Sequence, residues 1–116
     1  MINVYGYTKC STVKKALKFL DERDVKYTHI DNVVNKLTES ELMQIHEDSN
    51  QPIKKMFNTS GMKYRELGLK DILPTASLEE AIALLASDGM LVKRPLLVAG
   101  NKVVIGFKED KWDEVL

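Results

Sequence analysis

Cysteine is almost absent from this chain: Cys10 is the only one among 116 residues. A single thiol excludes an internal disulfide and a cysteine-rich metal centre. Histidine is scarce as well, with only His29 and His46, so no metal ligand set is expected. Net charge is missing, since 17 Lys+Arg balance 17 Asp+Glu. That excludes the broad field that holds nucleic acid or an anionic membrane; no direct DNA binding is expected, and only a local basic patch has room to exist. Long apolar runs are missing too. The longest, such as "PLLVAG", fall far short of the roughly 20 residues needed to span a bilayer, so no membrane association is expected. The first residues have neither the basic segment nor the apolar core of a signal peptide. A reducing cytoplasm is the expected compartment.

What remains is a chain that is 44% hydrophobic and 29% charged. That balance suits one soluble domain, long enough to bury a core without covalent staples. Residues 2–6, "INVYG", read as a short buried strand. Residues 11–23 switch to helical spacing, with a stripe of Val13, Leu17 and Leu20 flanked by Ala16 and Phe19. Residues 25–31, "VKYTHID", read as a second strand. Strand, helix and strand in about thirty residues predict a parallel βαβ unit with a right-handed crossover. Thr38 with Glu41, and Ser77 with Glu80, form capping boxes at two later helix starts. Gly89 is placed to end the second of these helices. Between them lie short helical turns broken by Pro52, by "NTSG" and by Pro74. "PLLVAGNKVVIGF" carries two apolar runs around a "GN" hairpin signal, and "KEDKWDEVL" closes as an amphipathic helix with Trp112 inward.

The stretch "VYGYTKCSTVKKALKFL" puts Cys10 where the first strand turns into the first helix. Amides at a helix start have no partner within the helix, and the helix dipole adds partial positive charge. Both favour thiolate over thiol, and such sites lower a cysteine pKa from about 8.5 to roughly 3.5–7.5. A buried, inert cysteine is the competing reading, because free cysteine is among the most buried residue types. The polar "GYTK" before it favours a surface turn. Ser11, Thr12 and the amides of residues 11–13 would hold negative charge at the same place. By itself, Arg94 reads as a solvated charge at a strand edge, and "FNTSG" as a plain turn rather than a phosphate loop.

"YGYTKCSTVKKALKFL", "FNTSGMKYRELGL", "SLEEAIALLASDGMLVKRPLLV" and "VVIGFKEDKWDEVL" resemble, in order, blocks of the arsenate-reductase-like (ArsC/Spx/MgsR) family. That bacterial family includes arsenate reductases and the Spx-type transcription regulators. The resemblance runs over nearly the whole chain. It implies an α/β thioredoxin-like fold, β-α-β … β-β-α, with a mixed four-stranded sheet in a single domain. Residues 1–32 and about 75–116 would form the core, and about 35–74 a helical insert after the second strand. Cys10 matches the family's catalytic cysteine. Arg94 and Pro95 match an Arg-Pro pair whose proline is typically cis and lies against that cysteine.

Two departures from the family pattern narrow the chemistry it implies. Many relatives carry a second cysteine three residues on, where this chain has Val13, so the internal redox switch of Spx-type proteins is missing. The glutathione-coupled arsenate reductases hold arsenate with three arginines. Only Arg94 is kept; Asn58 and Phe107 stand near the other two places, and Arg65 does not align. Efficient arsenate reduction is therefore not expected. The resemblance implies a monothiol oxidoreductase, with Cys10, Thr12 and Arg94 catalytic and Ser11, Val13 and Pro95 binding substrate. No cofactor would be bound. A low-molecular-weight thiol of the glutathione or bacillithiol type, or a glutaredoxin- or thioredoxin-type reductant, would be co-substrate. The alternative it implies is a regulatory protein that binds the C-terminal domain of the RNA polymerase α subunit. A monomer is expected.

Overall fold

The computed structural model describes residues 1–116. Four strands form one mixed sheet in the order β2-β1-β3-β4. β1 (Ile2–Tyr5) pairs parallel with β2 (Thr28–Ile30) and antiparallel with β3 (Leu96–Ala99), which pairs antiparallel with β4 (Lys102–Ile105). Between β1 and β2 runs α1 (Ser11–Glu22). After β2 come α2 (Glu39–Ser49), a 3-10 turn at Ile53–Met56, α3 (Met62–Glu66), α4 (Leu69–Ile72) and α5 (Leu78–Ser87). The chain closes with α6 (Glu109–Val115). This is the thioredoxin-like arrangement, with extra helices after the second strand. No helix is long and apolar enough to cross a membrane.

Strand alternation divides the core in two. Val4, Leu97 and Val104 sit opposite one another in register and face α1 and α6. Their neighbours Tyr5, Leu96 and Ile105 are also in register and face the opposite side. There they meet Leu42 and Ile45 of α2, Ile82 and Leu85 of α5, and Met56, Phe57 and Tyr64 between them. The period of two places each strand residue on one side or the other, so a short sheet serves two cores.

The helices obey their local signals, with small shifts. Both capping boxes form: Thr38 Oγ1 accepts from Glu41 N while Thr38 N donates to Glu41, and Ser77 and Glu80 repeat the exchange. The buried stripe of α1 is Val13, Ala16, Phe19 and Leu20. It is centred one residue before the expected line, leaving Leu17 at its margin. The second strand is shorter than residues 25–31, because a positive-φ turn at Asp24 precedes it and the Asp31 side chain accepts backbone bonds directly after it. Gly89 does not act as a left-handed helix stop. α5 ends at Ser87, and Asp88 Oδ1 accepts from Met90 N to start a 3-10 turn at Gly89–Leu91. Glycine is needed at 89 for another reason: a Cβ there would lie 2.2 Å from the Asn32 carbonyl oxygen. The hairpin is as expected, with Gly100 at φ +64 in a two-residue loop between paired Ala99 and Lys102.

Trp112 is the main anchor of α6, beside Val115 in the same core and an Arg23–Asp113 ion pair at 3.2 Å. Trp112 is fully buried, donates from Nε1 to the Gly106 carbonyl at 2.9 Å, and meets Phe19 and Phe107 edge-on at 6.2 and 5.0 Å. Each such aromatic pair adds about 0.5–1.5 kcal/mol beyond area burial. A seven-residue helix could not hold itself without that anchor.

Candidate active site

Cys10 occupies the N-cap of α1, in extended conformation at φ −77 and ψ 128. Its amide donates to the Tyr7 carbonyl at 3.0 Å, and its carbonyl accepts the first helical bond from Lys14 N at 3.1 Å. The thiol is half-buried, not sealed in hydrocarbon. It makes no full capping bond, yet the Val13 and Thr12 amides and the Arg94 side chain all face its sulfur. Burial pushes the thiol pKa up. The Val13 amide, the Arg94 guanidinium and the Thr12 amide together outweigh that and hold it below the ordinary thiol value.

Arg94 reaches the sulfur from the loop before β3. Its Nη1 donates to the Met90 thioether at 3.7 Å, and its Cζ stands 5.8 Å from the centre of the Tyr7 ring. The Arg94–Pro95 peptide bond is cis. Pro95 is buried, and its carbonyl accepts from Gly106 N at 2.8 Å. Gly6 fits between Val13 and Pro95; a Cβ there would lie 2.6 Å from a Val13 methyl and 3.6 Å from Pro95 Cα. So the loop before the thiol, the first turn of α1 and the Arg-Pro corner pack as one unit.

The residues singled out in the sequence divide into two groups. Cys10, Thr12 and Arg94 line an open groove together. Ser11, Val13 and Pro95, expected to bind substrate, do not line it. Val13 and Pro95 are buried, because α1 turns its apolar face into the core at that point, so Val13 has only its amide to offer. Ser11 is exposed at the helix start. Asn58 and Phe107 line the groove as well. Asn58 is tied by its amide to Leu91 O at 2.8 Å, and the Phe107 ring packs on Phe19 at 5.4 Å. Neither brings a positive charge. Arg65 donates to Ser60 O at 3.1 Å on the exposed side of the insert.

Four supporting residues were not visible in the sequence. Asp31, after β2, accepts from Thr8 N at 3.0 Å, Thr8 Oγ1 at 2.7 Å, Val33 N at 2.9 Å and Val34 N at 3.3 Å. Burial raises its carboxyl slightly, but these bonds, led by those of Thr8, hold the pKa at about 2. His29 Nε2 lies 2.9 Å from the Gly6 carbonyl. A carbonyl can only accept, so that nitrogen carries the proton. Asp31 and His29 thereby pin the loop at Gly6 and Thr8, just before the thiol. Tyr7 and Met90 flank Arg94. The Asp31 and His29 contacts join residues 23 apart, and the only hint of them was the position of β2 beside β1.

A family model described as the ArsC family matches residues 5–115. The uncharacterized protein YusI of Bacillus subtilis (strain 168) is 48% identical over 113 residues, covering 97% of this chain and 96% of its own. The solved structure of a possible arsenate reductase from Streptococcus mutans UA159 superposes with a TM-score of 0.87 at 48% identity, over 97% of this chain and 98% of that one. The global transcriptional regulator Spx of Staphylococcus haemolyticus is 25% identical, over 96% of this chain and 83% of its own.

Proposed function

This chain belongs to the ArsC family, and on that premise we propose that it is a monothiol oxidoreductase with Cys10 as its nucleophile. One observation carries the reading: a thiol held below its ordinary pKa at a helix start, opening on a groove it shares with Arg94. The Cys10 thiolate attacks one sulfur of a disulfide. A bond forms from Cys10 Sγ to that sulfur, the old S–S bond breaks, and the other half leaves as a thiolate. The Thr12 and Val13 amides hold the negative charge at Cys10 before attack and after release. Arg94 orients an anionic group on the substrate. An external thiolate of the glutathione or bacillithiol type, or one on a glutaredoxin- or thioredoxin-type protein, then attacks the mixed disulfide. It forms the new disulfide and returns Cys10 as thiolate.

With Val13 three residues on, the chain has no second thiol to do that work. Arsenate fits the site less well than a disulfide does, because Asn58 and Phe107 supply no charge to a tetrahedral oxyanion. The test is intact mass after exposure to glutathione disulfide. The wild type gains one glutathione; Cys10→Ser gains none. An adduct on the Ser variant, or none on the wild type, contradicts the assignment.

Likeness to the Spx regulators favours a second reading. The chain would bind the C-terminal domain of the RNA polymerase α subunit, without an internal redox switch. Titration of labelled protein with that domain separates the two. Saturable shift changes, together with no thiol exchange, favour the regulator.

A further inference from the structure

The overall charge of zero conceals an uneven distribution. The groove that holds Cys10 and Arg94 runs along the outer edge of β4. The insert brings Lys54, Lys55 and Lys63 to it, the loop before β3 brings Lys93, and β4 with the start of α6 brings Lys102, Lys108 and Lys111. Only four carboxylates line the same surface. Of these, Asp88 already accepts from Met90 N, and Glu114 faces Lys111 at 3.9 Å. None of the other six lysines, nor Arg94, has a carboxylate within ion-pair distance. The groove thus holds twice as many cations as carboxylates, and the rest of the chain, which includes Lys9, Lys14, Lys15 and Lys18 near Cys10, carries the balancing negative charge. The groove also has length. Ile105 pairs with Leu96 beside the Arg94–Pro95 corner, and Lys102 pairs with Ala99 at the far end of the strand. The two ends stand about 10 Å apart at the usual strand rise.

We propose that this groove binds the thiol that resolves Cys10, together with its disulfides, and selects those carrying two or more carboxylate or phosphate groups. This rests on the reading of Cys10 as nucleophile. One anion meets Arg94 beside the sulfur, and the others lie against Lys93 and Lys108 near that end of β4 or against Lys102 at its far end. Chemistry at sulfur is unchanged: Cys10 thiolate displaces one thiolate from the disulfide, and a second anionic thiolate displaces Cys10. The groove contributes by drawing anions in and holding their far ends. Confined like-signed charge of this kind raises encounter rates by about 10- to 1,000-fold, and salt suppresses the gain.

The test measures how fast Cys10 forms mixed disulfides with three probes at low salt. Glutathione disulfide carries carboxylates, coenzyme A disulfide carries phosphates, and cystamine is cationic. Each rate is divided by that of 2-mercaptoethanol on the same disulfide, to remove differences in leaving group. Iodoacetamide, which is neutral, normalises each variant for thiol reactivity. At least one anionic probe should exceed cystamine by about tenfold or more, with the gap closing in high salt. Preference for both anionic probes assigns the groove to either anion; preference for coenzyme A disulfide alone assigns it to phosphates. Lys102→Glu/Lys108→Glu should cut the preference several-fold. Lys36→Glu/Lys70→Glu, the same charge change at exposed positions outside the groove, should leave it within twofold. Equal rates for all three probes, or equal effects of the two double variants, would overturn the groove and leave the nucleophile standing. No reaction with any probe would remove both.

Discussion

Helices α2 and α5 begin alike, and α1 begins differently. At the first two, a hydroxyl and a glutamate three residues on exchange bonds with the free amides, as Thr38 with Glu41 and Ser77 with Glu80. At α1 the cap is Cys10, whose sulfur is a weak acceptor, and no side-chain cap bond forms. The unmet amides of Thr12 and Val13 then face the sulfur and favour its anion. The same orphan donors lock a structural helix in one place and activate a nucleophile in another; the identity of the capping atom decides which.

The comparison can be broken by converting one kind of start into the other. Cys10→Ser puts a good capping oxygen at α1. It should abolish mixed-disulfide formation outright and raise stability by about 0.5–1 kcal/mol in urea unfolding. A loss of stability would mean that the thiol packs better than it caps. Arg94→Gln keeps the helix start but removes the charge facing it. The midpoint of iodoacetamide alkylation against pH should rise, and the rate at pH 7 should fall by up to about tenfold. An unmoved midpoint would leave the amides as the sole cause. Ser77→Ala disables a structural cap instead. It should cost about 1 kcal/mol of stability while leaving the Cys10 midpoint where it was.

The smallest effect concerns the loop before the thiol. Asp31 has its pKa held at about 2 in the folded chain, below the ordinary 3.8. A depressed carboxyl stabilises the fold fully above its unfolded pKa, and that contribution disappears as pH falls through the folded value. The wild type should therefore lose stability between about pH 4 and pH 2 more steeply than Asp31→Asn, as read from denaturant midpoints across that range. The difference is modest because the side chain is partly exposed. Parallel curves for the two proteins would show that the Asp31 clamp adds nothing to the fold.

Legibility in the sequence tracks the range of each interaction. The capping boxes, the hairpin and Cys10 at a strand-to-helix turn are local patterns, decided within four residues, and all are found where the sequence puts them. The opening strand, helix and strand were legible because strand and helix periods differ around Cys10, while the thioredoxin-like order of the whole chain came from the family resemblance. Gly89 misled, since its signal was a helix stop while its reason is the Asn32 carbonyl, 57 positions earlier. Val13 and Pro95 adjoin the site with their side chains buried, so Val13 contributes the amide that faces the sulfur and Pro95 shapes the corner that carries Arg94. The Thr8–Asp31 clamp joins residues 23 apart and exists only once β2 lies beside β1. The charge of the groove was hidden for a similar reason: its lysines are scattered from Lys54 to Lys111, and only the fold collects them.

Reactivity at this site depends on the charge state of one sulfur. Thiolate absorbance in the ultraviolet, titrated against pH with Cys10→Ser as the blank, reads it directly. The structure predicts a single ionisation with its midpoint below the ordinary value of a free cysteine. A midpoint at or above that value would contradict the claim that the helix start and Arg94 hold Cys10 ready for attack.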